Sequence, residues 1–486
     1  MTPTTSFATS AVVERFVERL VLDLPGLKVD SNTQSRAEHS HDRWPEAAKW
    51  STAEAAAHLP EVVLHPTTTA AVSAILRQAT ADRIAVVPFG AGSGVVGGVV
   101  NAGSFVTVDL GGLTAGPEFD DDRGEVTVGA GMIGADLERL LNARGRRIPH
   151  YPQSLALASV GGLVATRSSG TFSSKYGNIE DFLVALEVVL ADGTVVSTKA
   201  VPRSSTGPSI AQLFVGSEGT LGVITSVTLR TLTTAATSRF RGIAFGTIDE
   251  GLTAVRRIFD TGVTPAVVRL YDPEEGTHLF ERSGIDGGGR TLLILGFDGN
   301  ESVVDAEERE ALTVAGRSGG ADLGAGPGNT WERTRFDASW LDRGNAGEYA
   351  FADAIEVSAA WPDLPTLHTA VLEALSPYVD NAYAHFSHFY PNGGAIYFIL
   401  FTGGPDRKTA IERYRRAWDV TLKTVTDAGG SISHHHGVGE ARKSWMGVEH
   451  GNGLFVLAAV KNALDPRGIL APGKLGLDAT GEGANN

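Results

Sequence analysis

Residues 88–98 read Pro-Phe-Gly-Ala-Gly-Ser-Gly-Val-Val-Gly-Gly and follow an apolar run at 84–87. Gly92, Gly94 and Gly97 satisfy the G-x-G-x-x-G spacing of a dinucleotide loop. That reading requires a helix to open at the last glycine. The next residues, Gly-Val-Val-Asn-Ala-Gly-Ser-Phe-Val-Thr-Val-Asp-Leu at 98–110, have no 3.6-residue apolar period. No helix is expected there, and the Rossmann reading is set aside. A run of small residues still leaves successive backbone N–H groups open, and such a nest holds a pyrophosphate without a helix.

Three more stretches share this chemistry. Residues 151–162 read Tyr-Pro-Gln-Ser-Leu-Ala-Leu-Ala-Ser-Val-Gly-Gly. Residues 165–170 read Ala-Thr-Arg-Ser-Ser-Gly and run on to Tyr-Gly-Asn-Ile-Glu-Asp at 176–181. Residues 215–225 read Val-Gly-Ser-Glu-Gly-Thr-Leu-Gly-Val-Ile-Thr. Glycine and serine keep the backbone accessible to a long cofactor lying against it. Between these stretches, 105–110, 126–128, 182–190 and 221–229 read as strands, and Asp192-Gly193 as a hairpin turn. Residues 11–23, 69–80 and 133–142 read as helices, and 28–58 as polar and irregular. Beyond a boundary at 232–238 the elements lengthen, with a helix at 408–427 and another at 453–463. Residues 316–330 read as a flexible glycine-rich loop. Both halves mix strands and helices, so the class is α+β.

The chain has 486 residues, 42% hydrophobic and 20% charged, which excludes wholesale disorder and suggests two or three domains. The net charge of −15 argues against a nucleic-acid partner. The absence of cysteine removes thiol catalysis, disulfides, Fe–S clusters and a cysteinyl-flavin bond. No basic start with an apolar run, no long apolar stretch and no lipidation or peroxisomal address is visible. A cytoplasmic protein is expected.

In order and spacing, the four stretches resemble the FAD-binding domain of the vanillyl-alcohol oxidase/PCMH flavoprotein family. The resemblance implies a two-subdomain PCMH-type domain at 59–235 and a cap or substrate domain at 236–440, with an antiparallel sheet and flanking helices. It adds an N-terminal helix and irregular segment at 1–58, and a helical segment at 441–486 that returns to the FAD domain. It also implies non-covalent FAD. Pro88, Phe89, Gly90, Ala91, Gly92, Ser93 and Gly94 would hold the pyrophosphate. Gln153, Ser154, Leu155, Ser159, Gly162, Thr166, Arg167, Ser168 and Ser169 would line the flavin. Glu218, Gly219, Gly222, Val223 and Ile224 would complete the site.

Within that family the C-terminal half resembles the alkyldihydroxyacetonephosphate synthase subfamily. The matching residues include Gly430-Ser-Ile-Ser-His434-His435-His436-Gly-Val-Gly439, Glu356-Val-Ser-Ala-Ala-Trp361, Pro265-Ala-Val-Val-Arg269-Leu and Gly394-Ala-Ile-Tyr397-Phe. Oxidases of 2-hydroxy acids show one His where this chain has three. The stretch Ser387-His-Phe-Tyr-Pro391 departs from the subfamily. The implied activity exchanges the acyl chain of an acyl-dihydroxyacetone phosphate for a fatty alcohol. The alternative is an FAD-dependent oxidase or dehydrogenase of a 2-hydroxy acid or alcohol; a non-catalytic lipid- or flavin-binding protein is the third reading. Small-molecule partners, a homodimer and peripheral membrane contact go with it.

The residues leave choices open. Three consecutive His cannot all face one way. His434, His435 and His436 form a polar turn, a metal site or an anion and proton site; the last is preferred, and no metal is expected. Tyr397 fills the core or, by resemblance, is the acid/base, with nearby Arg or imidazolium lowering its pKa. Arg269 sits in an apolar run and needs an anion, either Asp272 or a substrate phosphate or carboxylate. Arg343 is a surface cation or, by resemblance, the second substrate-binding arginine.

Overall fold

In the computed structural model, which describes residues 10–477, the strand before the glycine stretch is Ala85–Phe89. It pairs parallel with Phe105–Asp109, and residues 90–104 cross between the two without a helix. Val62–His65 joins on the far side, also parallel, and Lys28–Asp30 closes that edge antiparallel. The parallel strands are buried at almost every position, as expected of a sheet covered on both faces. Helix Thr69–Asp82 supplies one cover through Val72, Ile75, Leu76 and Ala79. Residues 1–9 and 478–486, the ends of the expected N- and C-terminal segments, lie outside the described residues.

A second sheet is antiparallel, ordered Glu118–Asp120, Glu125–Gly129, Val223–Arg230, Leu183–Val189 and Val195–Ser197. Val126, Val128, Leu186, Val227 and Leu229 carry its core against Leu137, Leu141, Leu163 and Phe182. The third sheet runs Ala321–Asp322, Thr237–Phe245, Thr291–Gly299, Val267–Tyr271, Asn381–Tyr390, Gly393–Gly403 and Ala350–Ala360, antiparallel throughout. Helices Ile248–Asp260, Glu301–Arg317, Leu364–Leu375 and Arg407–Asp427 bury its rear face in the largest core cluster. The architecture is α+β.

The chain end comes back to the first sheet. Ile469 O accepts from Val86 N–H at 2.8 Å, and Ala471 N–H donates to Val86 O at 2.9 Å. Lys461, buried, ties the turn together by donating to Thr220 O, Leu470 O and the Asp465 carboxylate.

Two segments depart from the sequence reading. Residues 28–58 are not irregular: besides the strand Lys28–Asp30 they form helices Thr33–Glu38 and Thr52–Ala57, N-capped by Asn32 and Ser51. Residues 316–330 are not a free loop: they take in the end of helix Glu301–Arg317, strand Ala321–Asp322 and the start of helix Gly326–Thr334. Its Gly328 packs directly on strand Thr237–Phe245; a Cβ there would stand 2.7 Å from Arg241 N. Close helix–strand approach, not flexibility, explains that glycine.

Candidate active site

Period-two alternation places the chemistry on the front face of the seven-stranded sheet. Glu356 lies opposite Tyr397, Tyr397 opposite His385, and His385 opposite Tyr271, so four strands bring one side chain each into a single row. Their neighbours Val268, Leu270, Phe386, Ile396 and Phe398 enter the helix-covered core instead. Arg269, two residues before Tyr271, shares the front face.

The Tyr397 hydroxyl lies 3.0 Å from His388 Nε2 and 3.1 Å from His435 Nε2. His435 Nδ1 is 3.0 Å from His434 Nδ1, and His434 Nε2 is 2.9 Å from the Tyr390 hydroxyl. Asn178 Nδ2 donates to that hydroxyl at 3.1 Å, and Ser169 Oγ donates to Asn178 Oδ1. His388 Nδ1 stands 3.1 Å from Ser169 Oγ, which closes the ring, and 2.7 Å from Ser173 Oγ. One proton order satisfies every link. Asn178 donates to Tyr390, Tyr390 to His434, His434 to His435, His435 to Tyr397, Tyr397 to His388, His388 to Ser169 and Ser169 to Asn178.

Burial pushes the Tyr397 phenol up, and Arg269 only partly offsets it. This corrects the expectation that nearby cations lower it. Burial likewise drives His388 and His435 well below the ordinary imidazole range, and His436 down to about 4. At neutral pH the phenol is protonated and the imidazoles beside it are uncharged. His388 holds φ +50 in the bulge between Ser387 and Tyr390. A left-handed non-glycine residue carries roughly 1–3 kcal/mol of strain, the kind that gathers at functional sites.

The loop 434–439 is gripped from two sides. The Glu356 carboxylate accepts the backbone N–H groups of His434, His435 and His436 at 2.6, 3.2 and 2.9 Å, together with Ser433 Oγ and Arg442 Nη2. Burial alone would raise Glu356; Arg442 and the imidazoles outweigh it and hold the carboxyl far below the usual range. On the other side Glu218 accepts Val438 N–H at 2.6 Å and Gly439 N–H at 3.0 Å. Glu356, His434 and His435 do present ligand atoms within 4.8 Å of one another. Their lone pairs and protons are already committed to the hydrogen bonds above.

Arg269 does not meet Asp272. Asp272 caps helix Pro273–Arg282 through Glu275 N–H and accepts Ala384 N–H. Arg269 Nη2 instead donates to His385 Nε2 at 2.5 Å. A guanidinium can only donate, so His385 Nδ1 carries the proton and donates to Glu275 Oε2 at 2.8 Å. Arg269 Nε is buried without a partner. Burial lifts Glu275 to about 8.

These groups open into a cavity of about 1490 Å³ that also reaches the glycine stretches. Of the expected cofactor residues, all but Phe89 and Arg167 line it. Phe89 turns inward, its ring 4.7 Å from that of His39. Arg167 turns away, donating to Glu180 at 2.9 Å. Tyr397, His435, His436 and Arg269 line the cavity, whereas His434 sits behind them on Tyr390. Arg343 lies on helix Ser339–Gly344, and its side chain is outside the described residues. Along residues 91–95 no backbone N–H donates to an acceptor among the described residues. Asp42, in the segment read as irregular, anchors the amides of Gly97 and Gly98. A row of free amides on a cavity wall fits a pyrophosphate.

Sequence reasoning assigned no role to His388, His385, Tyr390 and Glu356. The alternating pattern of 381–390 offered His385 and Ser387 to one face; the bulge that turns His388 forward had no local signal.

Fold and site together define a two-domain flavoprotein whose seven-stranded sheet carries Tyr397 and its histidine neighbours. Residues 60–199 match the FAD binding domain family, and residues 234–475 match the C-terminal domain of FAD linked oxidases. The chain is 31% identical over 441 residues to the uncharacterized FAD-linked oxidoreductase YgcU of Escherichia coli K12, covering 86% of this chain and 89% of that protein. It is 28% identical over 450 residues to alkyldihydroxyacetonephosphate synthase of Dictyostelium discoideum, covering 86% and 73%. A solved alkyldihydroxyacetonephosphate synthase superposes with a TM-score of 0.78 at 24% identity, over 95% of this chain and 85% of that one. The chain belongs to the FAD-linked oxidase family of PCMH type, and its cofactor is FAD.

Proposed function

We propose that this protein exchanges the acyl group of an acylated dihydroxyacetone phosphate for a fatty alcohol. The observation that carries the reading is the Tyr397 hydroxyl held between two neutral imidazoles, on the same sheet face as a guanidinium that forms no ion pair among the described residues. That set suits proton transfer at a carbon close to an anionic group. Cavity size supports it: about 1490 Å³ exceeds the roughly 300–1,000 Å³ of ordinary ligand pockets, leaving room for a chain beside the cofactor. Exposed Leu157 and Phe336 line the same cavity and suit an alkyl chain.

FAD, when bound, supplies an electron-accepting ring at the substrate carbon. Arg269 anchors the phosphate. Tyr397 takes the proton from that carbon as its own proton passes to His388 Nε2, the acceptor in the ring. The bond between that carbon and the ester oxygen breaks and the fatty carboxylate leaves; the alcohol oxygen bonds to the carbon and gives up its proton, and the reverse transfer returns a proton to the carbon. His435 Nε2–H, on the other side of the phenol oxygen, meets the shifting charge with a fixed dipole.

The second reading, oxidation of a 2-hydroxy acid, is favoured by the same Arg269, whose partnerless Nε suits a carboxylate. Anaerobic mixing separates the two. Acylated dihydroxyacetone phosphate with labelled hexadecanol is expected to give a labelled ether and leave the flavin oxidised at the end. Lasting bleaching by a 2-hydroxy acid, with no ether formed, would establish the second reading instead.

A further inference from the structure

A second, half-buried guanidinium lines the cavity. Arg335 follows helix Gly326–Thr334, and its Cζ lies over the rings of Phe336, Phe172, Tyr151 and Trp331 at 4.4, 5.4, 5.5 and 5.8 Å. Nη1 donates to Thr171 Oγ1 at 2.9 Å. Nε is buried without a partner, and the guanidinium forms no ion pair among the described residues. The acid whose field reaches it is Glu332, one turn back on the same helix. Aromatic faces attract a guanidinium but leave its in-plane N–H groups unused. A desolvated cation with free donors is unfavourable unless an anion completes it.

Arg269 is in the same condition. Its Cζ stands 5.6 Å from the Tyr271 ring, and Tyr271 lines the cavity together with Trp331, the ring beneath Arg335. The two cations therefore sit on the wall of one cavity.

We propose that Arg335 is a second anion subsite, taking a ligand carboxylate while Arg269 holds the first anionic group. The proposal rests on the reading of Arg269 as substrate anchor. Two sources share this chemistry. In acyl exchange the phosphate sits at Arg269, and Arg335 receives the carboxylate released when the bond between the dihydroxyacetone carbon and the ester oxygen breaks. In oxidation both groups are carboxylates of one hydroxy diacid.

Calorimetric titration of the FAD-loaded full chain tests this. The probes are saturated dicarboxylates from succinate to dodecanedioate, ω-phosphonocarboxylates of matching length, and the corresponding monocarboxylates. At one length a doubly anionic ligand is expected to bind at least about tenfold tighter than its monocarboxylate, the scale of one charged hydrogen bond. R335M should abolish that gain while monocarboxylate affinity stays within about twofold, and R335K should retain part of it. Preference for the phosphonate series points to the acyl-phosphate source, and preference for the dicarboxylates to the diacid. No gain at any length, or a gain that survives R335M, overturns the subsite. Loss of FAD from R335M overturns it too, because the guanidinium then serves the cofactor. If R335M does not fold, an undiminished gain in R335K together with R335Q is the overturning result. R269M separates the failures: if it weakens none of the three series, the anchor reading falls rather than the Arg335 subsite alone.

Discussion

His388 Nε2 accepts from the Tyr397 hydroxyl at 3.0 Å, and that link sets the direction in which the phenol's proton can leave. On the other side His435 Nε2–H points at the same oxygen and has no free lone pair to offer in this proton order.

Tyr397→Phe and His388→Gln should therefore resemble each other. Each is expected to lower turnover by roughly 10²–10⁴-fold. FAD content and melting temperature should stay near wild type for Tyr397→Phe. Steady-state rates with the acyl-exchange substrate check this. A fully active His388→Gln beside an inactive Tyr397→Phe would remove His388 from the proton path.

Glu356→Gln should destabilise the protein by about 3–5 kcal/mol, because Arg442 is completely buried on that carboxylate. The pH dependence follows from the sign of the shift. The folded pKa is depressed, so the charge contributes above the unfolded value of 4.5 and is lost as pH falls further. Thermal melts of wild type and variant should differ most near pH 7 and converge in acid. A constant difference across that range would contradict the assignment.

Glu275 has the opposite sign. Its folded pKa is raised from 4.5 to about 8, so the wild type loses stability as pH climbs between those values. Glu275→Gln cannot ionise and should flatten that part of the curve, with little effect at pH 5. Urea midpoints across the interval provide the measurement; equal slopes in the two proteins would show that Glu275 titrates normally.

Gly92→Val should weaken FAD binding. Gly92 has φ +62, and an added Cβ would stand 2.7 Å from Phe89 Cζ. The damage thus begins with the loop's own backbone and its ring support, before any phosphate is reached. FAD retained through gel filtration at wild-type stoichiometry would take this loop out of the site.

The sequence made much of this legible because glycine loops and apolar runs are local signals. The order of small-residue stretches pointed to the cofactor wall, and the absent helix after Gly97 is a local fact that the structure repeats. Tyr397 and Arg269 stood out as polar groups in apolar strands. What escaped depends on partners distant in the chain. Glu356 is one acid among many until register puts it opposite Tyr397 and beneath three amides some 80 residues away. His388 faces the site only because of a bulge. Asp42 looked like loop polarity, yet its carboxylate serves amides 55 and 56 positions onward. Arg335 gained meaning from rings contributed by four separate residues.

The loop 434–439 belongs to neither half of the molecule alone. Glu356 holds its beginning from the cap sheet, and Glu218 holds its end from the loop that enters strand Val223–Arg230. Drawing the halves apart would strip one buried carboxylate of its amide partners, an unequal trade against water. Leu157 and Phe336, exposed on the cavity wall, can swing without loosening that double grip, so the cavity can change shape at its rim while the histidine loop stays clamped.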